Sequence, residues 1–276
     1  VVLDGVFNHT GSDSIYFNKI GRFPETGAYQ SINSPYFNWY RFSHYPDQYE
    51  SWWGINTLPS VNETEPSYRG YMLWEEDSVV KHWLKCGASG FRLDVADELP
   101  DEFLEDLRYV VKKTDPDAAV IGEVWEDASN KIAYGIRRKY FQGNQLDTVM
   151  NYPLKEGILD FLLYSHDAGK LEELVNSLWE NYPKPAFYTL MNLLGTHDTP
   201  RILTVLAENS RNETEARQKL FLALLIVSFF PGIPCIYYGD EIGMKGGKDP
   251  MNRWCFRFDE KDSAIDRYYR RVLQFR

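Results

Sequence analysis

Gly90-Phe91-Arg92-Leu93-Asp94-Val95 is a short apolar run broken by one arginine and closed by an acid. A run of this length, bounded by glycine and an acid, reads as a strand buried on both faces, the kind found in parallel sheets. Similar runs recur on either side: Val1 to Phe7, Ala118 to Val124, Thr148 to Tyr152, Tyr188 to Leu194 and Pro234 to Tyr238. Helical periodicity fills the intervals over Glu76 to Cys86, Asp101 to Lys113, Asn130 to Tyr140, Pro153 to Ser165, Lys170 to Glu180 and Glu213 to Phe229, with Ser263 to Arg276 closing the chain. In the second of these, Phe103, Leu104, Leu107, Val110 and Val111 repeat at three and four, with acids early and lysines late, as a helix with one buried face requires. Strands alternating with helices predict an α/β fold with a parallel sheet.

Residues 10–75 break this rhythm, being dense in Tyr, Phe, Trp, Pro, Gly and Asn. So long a connection predicts an inserted lid subdomain with a functional role. A second reading, compatible with the first, is that aromatics such as Tyr36, Phe37, Trp39 and Tyr40 simply pack on one another.

With 276 residues and 43% hydrophobic content, the chain can bury a large core. A net charge of -10 with no basic tract excludes clustered phosphate recognition, so neither nucleic acid nor an anionic membrane surface is expected as a partner. The apolar stretch Leu220 to Phe230 is too short to cross a bilayer and runs into Pro231 and Pro234. Cys86, Cys235 and Cys255 fit neither a disulfide framework nor a zinc site, which favours a reducing, cytoplasmic location. The Asn-X-Thr triplets at Asn8, Asn62 and Asn212 are read as unmodified.

Three acids share one local setting: Asp94 in the run above, Glu123 after Val120-Ile121-Gly122, and Asp198 after Leu194-Gly195-Thr196-His197. Each closes an apolar strand. In parallel barrels the C-terminal strand ends build the active site, so acids distant in sequence become neighbours there. Any one of them alone also reads as a helix N-cap. Clustered carboxylates compete for protons, leaving one protonated and another ionised, as glycosidic bond cleavage requires. Arg92, two residues before Asp94, shares its strand face and would keep it ionised. His9 and His197 suit hydrogen bonding to hydroxyls, and Trp125 suits an aromatic platform.

The segments Asp4 to His9, Gly90 to Ala96, Gly122 to Trp125 and Gly195 to Asp198 resemble, in order, the four signature regions of the α-amylase family of glycoside hydrolases. Leu58 to Asn62 resembles the family's lid signature, and Gly232 to Glu241 its eighth strand. Val95 to Glu98, Met150 to Leu154 and Gly239 to Met244 look most like the cyclomaltodextrinase, neopullulanase and maltogenic amylase group. Asp97 departs from the asparagine usual there, and Glu126 stands where histidine is expected.

The resemblance implies a TIM (β/α)8 barrel. It also implies a retaining double displacement on α-glucans such as cyclodextrins, maltooligosaccharides, pullulan or starch. Asp94 would be the nucleophile, Glu123 the acid and base, and Asp198 the third carboxylate. His9, Arg92 and His197 would hold the sugar at the cleavage point, with Trp125, Glu126 and Arg201 as further substrate contacts. No cofactor is required; calcium has no support from an acidic loop spacing, although Asn8 and the lid carry oxygen donors. If Val1 to Phe7 is the third barrel strand, the first two β/α units are absent, and truncation is the favoured explanation. A homodimer is an expectation for the full-length protein. Glucanotransfer by the same residues, an inert truncated fragment, and a non-catalytic scaffold of the same fold remain alternatives.

Overall fold

In the computed structural model, residues 1–163 and 167–276 are described, and they divide into two compact units. The first comprises residues 1–124 and 131–147. It contains β1 (Leu3–Gly5), the lid strands β2 (Phe42–His44) and β3 (Gln48–Tyr49), α1 (Pro66–Arg69) and α2 (Val79–Lys85). After these come β4 (Gly90–Leu93), α3 (Asp101–Thr114), β5 (Ala119–Gly122) and the hairpin strands β6 (Ile132–Ala133) and β7 (Ile136–Arg137).

β1, β4 and β5 form a parallel sheet with β4 central. All four residues of β4 are buried, as its apolar run demands. Gly90 has φ 133°, and a Cβ there would lie 2.1 Å from the Ala119 carbonyl oxygen, so only glycine lets β4 start this close to β5. The five apolar positions of α3 named above are all buried.

Residues 10–75 are organised around aromatic rings. Phe17 is fully buried and meets Tyr29, Tyr40, Phe42 and Tyr49 at centroid distances of 5.7, 4.8, 6.0 and 4.7 Å. Trp39 packs against Tyr16, Tyr36, Tyr68 and Tyr71. The aromatics therefore build a small core of their own. Its signature segment runs beside the exit of β1, with Val61 N donating to Asn8 O at 3.0 Å and Thr10 N to Pro59 O at 3.1 Å.

The second unit comprises residues 125–130 and 148–276. Its elements are β8 (Thr148–Val149), α4 (Tyr152–Leu163), α5 (Ala168–Asn181), α6 (Lys184–Phe187), β9 (Met191–Leu193), α7 (Ile202–Glu208), α8 (Glu213–Phe229), β10 (Ile233–Cys235) and α9 (Ser263–Phe275). β9 and β10 pair in parallel, and Met150 makes a parallel bridge to Met191. Asn212 caps α8 by accepting from Glu215 N at 2.9 Å, and α8 buries Ala216, Leu220, Ala223, Leu224 and Val227.

The parallel α/β expectation holds, with shorter strands than expected. One helix does not exist: residues 130–140 form the β6–β7 hairpin. Ile132, Ala133, Ile136 and Tyr140 fall at helical spacing, but the Tyr134-Gly135 pair turns the chain, with φ 53° and 76°. The strand expected over Thr148 to Tyr152 stops at Val149, and Tyr152 already begins α4. The helix expected to end at Ser165 is seen to Leu163, and its last two residues lie outside the described ones. α7 was not expected.

Asp147 ties α3 to the sheet of the first unit. It accepts from Arg108 Nη1 at 2.5 Å and Val120 N at 2.8 Å, and lies 2.9 Å from Lys112 Nζ. Burial by itself raises its pKa, but Lys112, Arg108 and the Val120 amide outweigh burial and hold it below the usual carboxylate range. A depressed folded-state pKa stabilises the fold above the unfolded-state value and loses that contribution as pH falls through the folded value. Asp147→Asn is expected to cost about 2 kcal/mol at pH 7. In urea unfolding at stepped pH, the difference from wild type shrinks once Asp147 itself protonates.

Candidate active site

Register places the two acids. In the parallel pairing Asp4 is opposite Arg92 and Leu93 is opposite Gly122, so Asp94 and Glu123 leave adjacent strands at the same level. The ladder continues one step further, with Asp94 N donating to Gly5 O at 3.1 Å and Glu123 N to Leu93 O at 3.0 Å.

Arg92 joins three carboxylates. Nη1 lies 2.7 Å from Asp4 Oδ1 and 2.8 Å from Asp94 Oδ1, while Nη2 lies 2.8 Å from Glu123 Oε1. Burial alone would lower the guanidinium pKa. Glu123 first, then Asp4 and Asp94, more than reverse this and raise it above its ordinary value, so Arg92 stays charged. Two carboxyl groups touching the two ends of one guanidinium lie within roughly 8 Å of each other. This span accommodates the separation of about 5 Å used in retaining glycoside cleavage. The side chain of Glu123 is 4% exposed and that of Asp94 19%, so both sit out of bulk water yet within reach of a ligand.

The backbone after Asp94 is bent to serve Glu123. Val95 is left-handed, φ 41° and ψ 61°, an outlier for a β-branched residue, and its N–H donates to Glu123 Oε2 at 2.9 Å. Strain of this kind costs about 1–3 kcal/mol and gathers at functional sites. His9 lies at the exit of β1, its ring stacked on Trp52 at 5.3 Å. Burial lowers its pKa, against the opposing pull of Asp94 and Glu98, so it favours the neutral imidazole.

In the second unit Asp198 follows β9 by five residues and is held from two sides. His197 Nε2 lies 3.0 Å from Oδ2, and Arg253 Nη2 donates to Oδ1 at 3.1 Å. The buried Asn252 donates to the carbonyls of His197 and Thr199, the latter at 3.0 Å, fixing the turn that carries Asp198. Trp125 is 45% exposed and stacks on Tyr152 at 4.2 Å, so it is not a core indole. Glu126 is exposed.

Arg201 corrects the sequence reading. It is completely buried, donates to Tyr238 O at 2.6 Å and pairs with Asp240 at 3.2 Å, so it braces the loop after β10 and has no surface for a sugar. Asp4, Asn252, Arg253 and the Val95 amide were not singled out. Asp4 was legible in principle, because parallel pairing of the first run with 90–95 puts it opposite Arg92. Arg253 carries no local signal, being 55 residues from Asp198.

The chain matches the model of the alpha amylase catalytic domain over residues 1–274. It belongs to that family. Among curated relatives, it is 38% identical over 313 residues to an amylopullulanase of Thermoanaerobacterium saccharolyticum, covering 100% of this chain and 24% of that protein. To a cyclomaltodextrinase of Bacillus sp it is 33% identical over 287 residues, covering 100% and 47%. Among solved structures, a cyclic α-maltosyl-(1→6)-maltose hydrolase from Arthrobacter globiformis, in complex with cyclic α-maltosyl-(1→6)-maltose, superimposes with a TM-score of 0.85 at 27% identity. The match covers 99% of this chain and 58% of that one. The chain thus spans about half or less of the curated relatives it matches. Among the described residues, no helix is long and apolar enough to cross a membrane.

Arg92→Met removes the one cation that Asp4, Asp94 and Glu123 share. Taking the cation away from the poorly exposed Asp94 and Glu123 is expected to cost about 3 kcal/mol at pH 7. The drop in Tm measured by calorimetry against wild type checks this.

Proposed function

We propose that this chain is the catalytic part of a retaining α-glucan hydrolase, with its parallel strands forming part of a (β/α)8 barrel. The observation that carries the reading is the Asp94–Arg92–Glu123 bridge, in which two carboxylates on adjacent strand ends share one guanidinium. Two carboxylates held at neighbouring strand ends can reach one bound sugar together, as a nucleophile and an acid must.

In the first step Asp94 attacks the anomeric carbon, forming a carboxyl–sugar ester, while Glu123 gives its proton to the departing glycosidic oxygen. Water then attacks the same carbon. Glu123 takes its proton, the ester bond breaks and Asp94 is restored as a carboxylate. Arg92 orients Asp94 through its 2.8 Å contact to Oδ1. In the first unit His9 is proposed as a further sugar contact; in the second, Asp198, backed by His197, is proposed to accept from sugar hydroxyls and Trp125 to offer a ring face. The scheme uses no cofactor. Cyclodextrins, maltooligosaccharides, pullulan and starch are the proposed substrates, in keeping with the names of the relatives.

Glu123→Gln removes the acid and base without changing size. Turnover of cyclodextrin and pullulan is expected to fall by about 10²–10⁴-fold. Unchanged turnover of both would end the assignment.

A further inference from the structure

In the second unit, the turn that carries Asp198 is held by a residue whose own hydrogen bonding is left half met. Asn252 lies completely buried in the loop after β10. Its Nδ2 donates to the carbonyl of His197 at 2.5 Å and to that of Thr199 at 3.0 Å, the residues on either side of Asp198. Reversing the amide would set Oδ1 against two carbonyl oxygens, so its partners fix its orientation. Oδ1 itself is buried without a hydrogen-bond partner. A buried acceptor left unmet costs stability, so what this position requires is the pair of donors.

The turn closes locally through threonines. Thr199 Oγ1 accepts from Thr196 N at 3.1 Å, and Thr196 Oγ1 accepts from Asp198 N at 3.2 Å. Those bonds shape the turn without tying it to the rest of the unit. Asn252 ties it through the main chain, and its own place is fixed in turn. The Tyr237 hydroxyl donates to Asn252 O at 3.3 Å. Residues 245–247 run so close that a Cβ on Gly246 would stand 2.4 Å from Met251 O and 3.0 Å from Asn252 Cα. Gly246 is bonded to the start of α7, donating to Thr204 Oγ1 at 2.8 Å and accepting from Arg201 N at 3.0 Å. The Asn252 amide therefore passes a fixed position on to Asp198, because bonds to the carbonyls on both sides of one residue constrain both of its peptide planes.

We infer that Asn252 is a positioning residue for Asp198, aiming its carboxylate at the bound sugar through the peptide groups on both sides. The inference rests on the proposed α-glucan reading and adds to it a residue that is too buried to touch substrate. His197 Nε2 and Arg253 Nη2 meet the two carboxylate oxygens at 3.0 and 3.1 Å, but they do not set the backbone from which the side chain projects. Misplacing a group that contacts the transition state by about 1 Å costs up to about 10²-fold in rate. A contact that works in the transition state shows its loss in kcat more than in KM.

The test is a double-mutant cycle between Asn252→Ala and Asp198→Asn, with kcat and KM for cyclodextrin hydrolysis measured on each protein and folding checked by Tm. Asn252→Ala alone is expected to lower kcat about 10–10²-fold with little change in KM. In the Asp198→Asn background the same change should lower kcat no further, because the group it positions is already disabled. Asn252→Ser, which keeps one donor, should fall between, and it carries the same cycle if Asn252→Ala does not fold. Equal losses in both backgrounds, or no loss in either, would overturn the inference and leave the α-glucan reading standing. If Asp198→Asn itself keeps the wild-type kcat, the role given to Asp198 falls and this inference falls with it.

Discussion

One guanidinium among three carboxylates is the interaction on which the first unit and its chemistry both depend. Arg92 sits in the central strand of a parallel sheet, where an unpaired charge would be costly to bury. Asp4 on the neighbouring strand, Asp94 two residues on and Glu123 at the next strand exit supply its partners. Asp94 and Glu123, poorly exposed at neighbouring strand ends, depend on the cation most; Asp4 is half exposed. The pairing therefore fixes strand register and side-chain direction together.

In the first unit the chain departs from relaxed backbone geometry at a few non-glycine residues, one of them beside Asp94. Val95 turns left-handed and presents its amide to Glu123. Trp53 and Tyr134 do the same and present rings to solvent, pinned by Glu98. Asp198 is set by a different device, a turn held by Asn252 and a carboxylate gripped by His197 and Arg253. Strain in the first unit and a polar network in the second serve the same end, which is to hold polar groups where packing alone would not put them.

Most of the fold was legible because burial leaves a periodic trace. The run 90–95, the stripe of α3 and the long apolar α8 each announce themselves locally. The β6–β7 hairpin did not, since Ile132, Ala133, Ile136 and Tyr140 imitate a helical face and Tyr134-Gly135 lacks the usual turn signature. The placement of Asp94 and Glu123 at adjacent strand ends was readable for the same reason as the strands themselves. Arg201 was expected as a substrate contact on the family resemblance alone, yet it is completely buried. Its burial is decided by Asp240 and the Tyr238 carbonyl, nearly forty residues away. Long-range partners of this kind leave no mark in a local window, and Arg253 escaped notice for that reason.

The central claim is that Asp94 forms a covalent bond to sugar while Glu123 manages the proton. An α-maltosyl fluoride carries a leaving group that departs without an acid, so in the Glu123→Gln protein the first step can proceed while the second lacks its base. Mass spectrometry of the proteolysed protein should then show a maltosyl adduct on the peptide containing Asp94. No adduct despite fluoride release, or an adduct on a different carboxylate, would contradict the account.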